Sequence, residues 1–181
     1  MPKLPQTLLE RRLDNEEEEV SSRGYSFKST PVWADVGIPS VAGQENVPVA
    51  RRYDVRLTAE GYSRQDKHTD PAPFSGHQAQ VFILRSYPYP TDKSRLGAPF
   101  RVIWVSPIFH PNIAQGRSAG GSGIVCWDLL KTWAKLDTLY GIVKGLELLI
   151  EHPNTKSPLN LPDCIAAAKW FESRKSQQQI N

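Results

Sequence analysis

Cysteine is scarce in this chain, with two residues among 181, Cys126 and Cys164, and neither has a Cys or His partner at zinc-like spacing. That excludes a disulfide framework, gives no sign of a metal site, and fits a reducing, intracellular setting. A marked excess of one charge is also missing: 22 Lys and Arg stand against 19 Asp and Glu, without the clustering a nucleic-acid footprint needs. Apolar runs long enough to span a bilayer are absent, and the start, Met1-Pro2-Lys3-Leu4-Pro5, leads into a charged segment with no apolar signal core. These observations predict a soluble, cytoplasmic protein with no nucleic-acid or membrane partner. With 39% hydrophobic residues over this length and no internal repeat, one domain over 1–181 is expected, its core at about 24–175 and 176–181 a frayed tail.

What is present changes period along the chain. Leu4, Leu8, Leu9, Leu13 and Val20 fall near helical spacing, predicting an amphipathic helix over 4–20 with Glu16 to Glu19 on its solvated face. Residues 25–28 begin a strand that Pro31 is expected to interrupt, and 31–48 read as irregular loop. In 52–60, Tyr53, Val55, Leu57 and Ala59 alternate with polar residues, and 78–87 and 100–105 read as further strands. The polar, turn-rich connection 61–76 is too poor in helix signal for a crossover, so the strands form an antiparallel meander. Leu139, Ile142, Val143, Leu146, Leu149 and Ile150 then repeat at three and four residues, predicting a helix over the sheet. A last helix is expected over 162–174, with Ile165, Ala166, Trp170 and Phe171 inward. The fold class is α+β: a meander of about four strands with an N-terminal helix and C-terminal helices.

The chemistry-bearing residues gather between His110 and Pro158. Cys126 lies between a Gly/Ser-rich approach and a short apolar turn, where a backbone can expose a thiol. The alternative for Cys126 is a buried structural cysteine, which is the assignment for Cys164, on a helix beside Ile165 and three alanines. A thiolate is both a good nucleophile and a good leaving group, so it can accept an acyl group and later release it.

His110-Pro111-Asn112, Gly123-Ile124-Val125-Cys126 followed by Asp128-Leu129-Leu130, Trp133, the helix, His152-Pro153-Asn154 and Pro158-Leu159-Asn160 together resemble the ubiquitin-conjugating enzymes. The resemblance runs from about Tyr53 to Asn160, with the leading helix in its expected place. It implies the fold of that family and a function in which Cys126 accepts the C-terminal acyl group of a ubiquitin-like modifier from an activating enzyme, then transfers it to a protein substrate. No cofactor is implied, since ATP is used by the activating enzyme. Asn112 then has two roles open to it: holding the active-site loop, or offering its amide to the oxyanion, a donor worth about 3 kcal/mol of barrier. His110 becomes a structural histidine bonded to the backbone, with Pro111 fixing the turn and Trp133 packing. Ser157 stands where the family carries an aspartate or serine; an attacking lysine must shed a proton held at about pKa 10.4, and a serine can orient and desolvate it but not act as a carboxylate base. Asp128 falls where the modifier's tail is met, or else caps the turn after Cys126. Lys3, Arg11 and Arg12 fall where the activating enzyme would bind, or else are ordinary surface charge.

Three departures stand beside these matches. Residues 115–122 lengthen the approach to Cys126, which implies looser surroundings for the thiol. Ala134-Lys135-Leu136 follows Trp133 in place of the family's usual Ser-Pro-Ala, and 92–100 replace its ligase loop, so a standard ligase is in doubt. Such differences point to a divergent branch, either prokaryotic or serving a modifier other than ubiquitin. Two rivals remain: a cysteine hydrolase with His110 or His152 as base, and a non-catalytic binding module of the same fold.

Overall fold

The computed structural model describes residues 3–91, 97–134 and 137–180. Helix α1, Gln6–Ser22, is followed by strands β1 (Ser26–Ser40), β2 (Gly43–Arg56), β3 (Gly61–Ser63), β4 (Ala72–Phe74), β5 (Gln78–Leu84) and β6 (Phe100–Trp104). A single turn α2 (Leu129–Thr132), the long helix α3 (Leu139–Glu151) and α4 (Pro162–Gln178) complete the chain. The main sheet is antiparallel in the order β1-β2-β5-β6, and β3 and β4 form a separate small hairpin inside the stretch read as a plain connection. Among the described residues no helix is long and apolar enough to cross a membrane.

The largest difference from the sequence reading is β1 and β2, one long hairpin where 31–48 read as loop. Proline lacks the N–H that a central strand must donate, but β1 is an edge strand, where that loss is tolerated. The register shifts between Pro31 and Ala34, and Trp33 adopts a φ of 45° there, so the chain passes the proline by a bulge and then resumes pairing down to Ser40↔Gly43. Conversely, the alternation through 52–60 holds in burial, yet strand pairing stops at Arg56.

The hairpin gives the sheet apolar cover on both faces. Ala79, Val81 and Ile83 of β5 face the main core with Leu9 and Leu13 of α1 and Ile142, Val143 and Leu146 of α3. Phe82 and Leu84 face the other way and pack with Ile38, Val47 and Ile103. Helix α1 is thus part of the packed unit and does not merely precede the core.

The acidic run of α1 is solvated at Glu18 but not at Glu16 and Glu17. Glu16 is 8% exposed; its carboxylate accepts from the Tyr87 hydroxyl at 2.5 Å, from the Leu139 N–H at 2.8 Å and from Arg12 Nε at 2.6 Å. Glu17 accepts from Arg51 Nη1 at 2.6 Å, Tyr53 at 2.9 Å and Ser29 at 2.7 Å. The inward stripe is therefore Leu9, Leu13, Glu16 and Val20, while Leu8 is exposed. Helix α4 also turns differently: Cys164, Ala167 and Ala168 are buried, and Ile165 is 37% exposed. The small alanines let this face approach closely, whereas Trp170 and Phe171 pack half-exposed around Tyr62.

A second buried carboxylate fixes α3. Glu147, 2% exposed, sits on the apolar stripe and accepts from the Thr58 N–H at 2.6 Å, the Thr58 hydroxyl at 3.0 Å and the Ala59 N–H at 2.5 Å. It thereby satisfies the two backbone donors that β2 leaves unpaired as it ends. Truncating it strands those donors, so Glu147→Ala is expected to lose about 3 kcal/mol of stability in urea unfolding. The exposed neighbour change Glu151→Ala should cost under ~0.5 kcal/mol, and equal midpoints for the two variants would refute the clamp.

Candidate active site

The segments carrying the candidate residues are joined by short backbone ladders. Ile124 bridges Ile103 of β6, and Ile113 bridges Val125. Gly123 makes the first bridge possible: its φ is +69°, and a Cβ there would stand 2.3 Å from the Trp104 carbonyl oxygen. The ladder ends on the thiol residue itself, whose N–H donates to the Asn112 carbonyl at 2.8 Å. Residues 115–122 close on themselves upstream. Gly123 N–H reaches the Gln115 carbonyl at 3.0 Å, the Gln115 side chain accepts from Ile108 N–H at 2.8 Å, and Ser118 N–H reaches Val105 at 2.9 Å. The lengthened approach is thus a hydrogen-bonded loop docked on the end of β6.

Cys126 is half-buried and lines an open groove of about 560 Å³ between α2 and α3, with Asn112, Asn154 and Ser157 at one end. Asn112 is 3% exposed and both of its amide hydrogens are used: Nδ2 donates to the carbonyls of Asn154 at 3.0 Å and Ser157 at 3.1 Å, and Oδ1 accepts from Asn154 N–H at 2.8 Å. In this arrangement it holds the loop after α3, and donating to an oxyanion would require releasing one of those carbonyls. Ser157 is exposed on the groove wall.

His110 is 3% exposed and uses both ring nitrogens. Nδ1 accepts from the Asn112 N–H at 3.0 Å, which places the ring proton on Nε2, where it donates to the Leu149 carbonyl at 2.8 Å. Burial pulls this imidazole down to about 4. His152 is exposed on the groove, and among the described residues no hydrogen bond joins Cys126 Sγ to either histidine. Trp133 packs on Tyr87 and Phe100 and donates its indole N–H to the Pro88 carbonyl at 2.8 Å.

Asp128 is exposed on the groove and makes no side-chain cap to α2, so the capping alternative fails. Lys3 and Arg11 are exposed. Arg12 instead turns inward, bonding Glu16 and the Asp137 carbonyl and lying over the Tyr87 ring. Cys164 is 1% exposed, and burial pushes its thiol up to about 12. The departures at Lys135-Leu136 and within 92–96 lie outside the described residues. Among the described residues no cluster of His, Cys, Asp and Glu is placed to hold a metal.

Sequence reasoning missed the contribution of α3, whose Tyr140, Lys144 and Leu148 form the far wall of the groove. Their spacing of four on the face opposite the apolar stripe was the available signal. It also missed Trp127, which lies next to the thiol and lines the same groove.

The sequence signature described as "Ubiquitin-conjugating enzyme" matches residues 73–180, more than half of the chain. The chain is 34% identical over 86 residues to Ubiquitin-conjugating enzyme E2-20 kDa of Schizosaccharomyces pombe, covering 47% of this chain and 39% of that protein. It is 30% identical over 95 residues to Protein PEROXIN-4 of Arabidopsis thaliana, covering 52% and 54%. It thus spans about half or less of the length of these relatives. Among solved structures, S. cerevisiae Ubc12 superposes with a TM-score of 0.57 at 20% identity, covering 90% of this chain and 68% of that one. A Toxoplasma gondii ubiquitin conjugating enzyme E2 domain gives 0.52 at 18%, covering 93% and 90%. At such identities the two structures establish the fold.

The histidines set a pH dependence. His77, fully buried, is likewise lowered by burial to about 4. In the unfolded chain both rings take a proton near 6.5, so between 6.5 and 4 the unfolded state binds more protons than the folded one. Stability is therefore complete above 6.5 and declines as pH falls towards 4. The urea midpoint should drop between pH 7.5 and pH 5, and the drop should shrink by about half in His77→Gln, which cannot titrate. An undiminished drop in that variant would place the titration elsewhere.

Proposed function

The chain belongs to the ubiquitin-conjugating enzyme family, and from that premise we propose that Cys126 carries the C-terminal acyl group of a ubiquitin-like protein as a thioester. The observation that supports this reading most directly is the half-exposed Cys126 in the wall of an open groove of about 560 Å³. In the charging step the Cys126 sulfur attacks the thioester carbonyl on an activating enzyme, and the partner's thiol leaves. In the discharge step an amine nitrogen attacks the same carbonyl carbon, the C–S bond breaks, an amide forms and the thiol is regenerated; a second thiol as acceptor gives a new thioester instead. Ser157 stands on the groove wall where it can orient the amine, and Asn112 keeps that wall in place. ATP is consumed by the activating enzyme.

The hydrolase reading has less support, because it needs an imidazole free to take the thiol's proton. His110 has no free nitrogen, and His152 makes no bond to the thiol among the described residues. The binding-module reading needs neither the thiol nor the groove.

Intact mass of the protein from its own cells, prepared mildly acidic and free of thiols, tests the proposal. The wild type should carry an increment removed by reductant, Cys126→Ser a thiol-resistant ester, and Cys126→Ala nothing. Cleavage of a ubiquitin-like fusion with no adduct would establish the hydrolase instead. On α1 and the segment leading into it, Lys3→Glu with Arg11→Glu is expected to slow charging by about tenfold at low salt, whereas Arg12→Glu should lower stability through the Glu16 network. Unchanged charging in the first variant would remove α1 as the activating enzyme's contact.

A further inference from the structure

The indole of Trp127 lies against the backbone of α3 at Gly145. A Cβ at position 145 would stand 2.4 Å from Trp127 Cζ2 and 3.0 Å from Cη2, so only glycine leaves the ring where it is. Glycine inside a helix costs about 1 kcal/mol relative to alanine, and here that cost accompanies a ring seated directly on the helix. Phe100 meets the ring edge-on with centroids 5.8 Å apart, and Phe100 in turn meets Trp133 edge-on. Trp127 is pinned at its backbone too, where its carbonyl accepts from Leu130 N–H at 3.1 Å.

The contact is not simply core packing, because both Trp127 and Gly145 are only half-buried and both line the groove. Trp127 also lines a second, apolar cavity of about 250 Å³ on the other side of Cys126, walled by Ile38 and Val41 of the hairpin and by Leu130. Trp127 therefore borders both of the spaces that Cys126 lines.

We propose that Gly145 is the seat of Trp127, and that the pair is a positioning device setting the width of the groove at Cys126. Neither residue touches the reacting atoms. A methyl at 145 drives the ring away from α3 towards the space an acyl chain must cross to reach the sulfur. The catalytic consequence rests on the conjugation reading; the seat itself does not.

The test compares wild type, Gly145→Ala, Trp127→Leu and the double variant by two readouts. The first is alkylation of Cys126 by iodoacetamide and by a bulky N-substituted maleimide, with Cys164 buried and silent. Gly145→Ala should lower the maleimide rate relative to the iodoacetamide rate by about tenfold, and the double variant should restore it. The second is single-turnover discharge of the Cys126 thioester to free lysine, expected to fall about tenfold in Gly145→Ala and to recover in the double variant. Equal alkylation ratios in wild type and Gly145→Ala, or no recovery in the double variant, overturn the proposal. A wild type that accepts no modifier, with the alkylation pattern as expected, removes the conjugation reading and leaves the seat standing.

Discussion

One asparagine holds the site together. The Asn112 carbonyl takes the N–H of Cys126, while its side chain takes one N–H and two carbonyls from the loop after α3. The thiol and the loop after α3 are thus tied to a single residue from two directions. A buried primary amide with every group paired is a rigid bracket, since leaving any of them unpaired costs of order 1–3 kcal/mol. Two functional roles were open to Asn112 in sequence, and the geometry ranks them by cost: holding the loop is free in the ground state, whereas stabilising an oxyanion demands exchange of a bond.

The bracket is useful only if α3 stays in register with the sheet, and two buried carboxylates secure that. Glu16 reaches from α1 to the first N–H of α3, whose other end of the first turn is capped by the Thr138 hydroxyl. Glu147 holds the middle of α3 to the end of β2. Both accept from backbone N–H groups and so align elements as well as pair charges. The aromatic chain Tyr87, Trp133, Phe100 and Trp127 runs from the Glu16 end to the thiol, which couples the position of the leading helix to the ring beside Cys126.

Much of this frame was legible where one physical period dominated. Val81 and Ile83, or Ile142 and Leu146, announce their elements because one face of each is dry. The 31–48 hairpin was not, because Pro31 and Pro39 break a strand only if it is central, and edge position is a property of the assembled sheet. Glu16 was read through its charge and Glu147 was passed over, although each occupies an apolar stripe position, which was the signal that they had buried partners to satisfy. At the site, the motif residues from His110 to Ser157 do converge, but Trp127 and Gly145 could not be paired in advance. Their contact depends on the distance between α2 and α3, which no local pattern encodes.

The misread hairpin matters to the site as well as to the sheet. Arg101, 5% exposed on β6, forms a two-pronged pair with Glu45, Nε and Nη2 each donating to one carboxylate oxygen at 2.9 and 2.8 Å. Such a forked pair fixes direction as well as distance. Together with Ile38 and Val47 packed on Phe82 and Ile103, it folds the hairpin tip across the outer face of the sheet until Val41 stands beside the Cys126 loop. Without the hairpin the thiol would face one groove along α3; with it, the same sulfur also borders an apolar cavity on the opposite side. A thiol with a wall on each side is better constrained than one on an open ridge. The edge strand is therefore part of the site's geometry, and its prolines are the sequence's concession to that position.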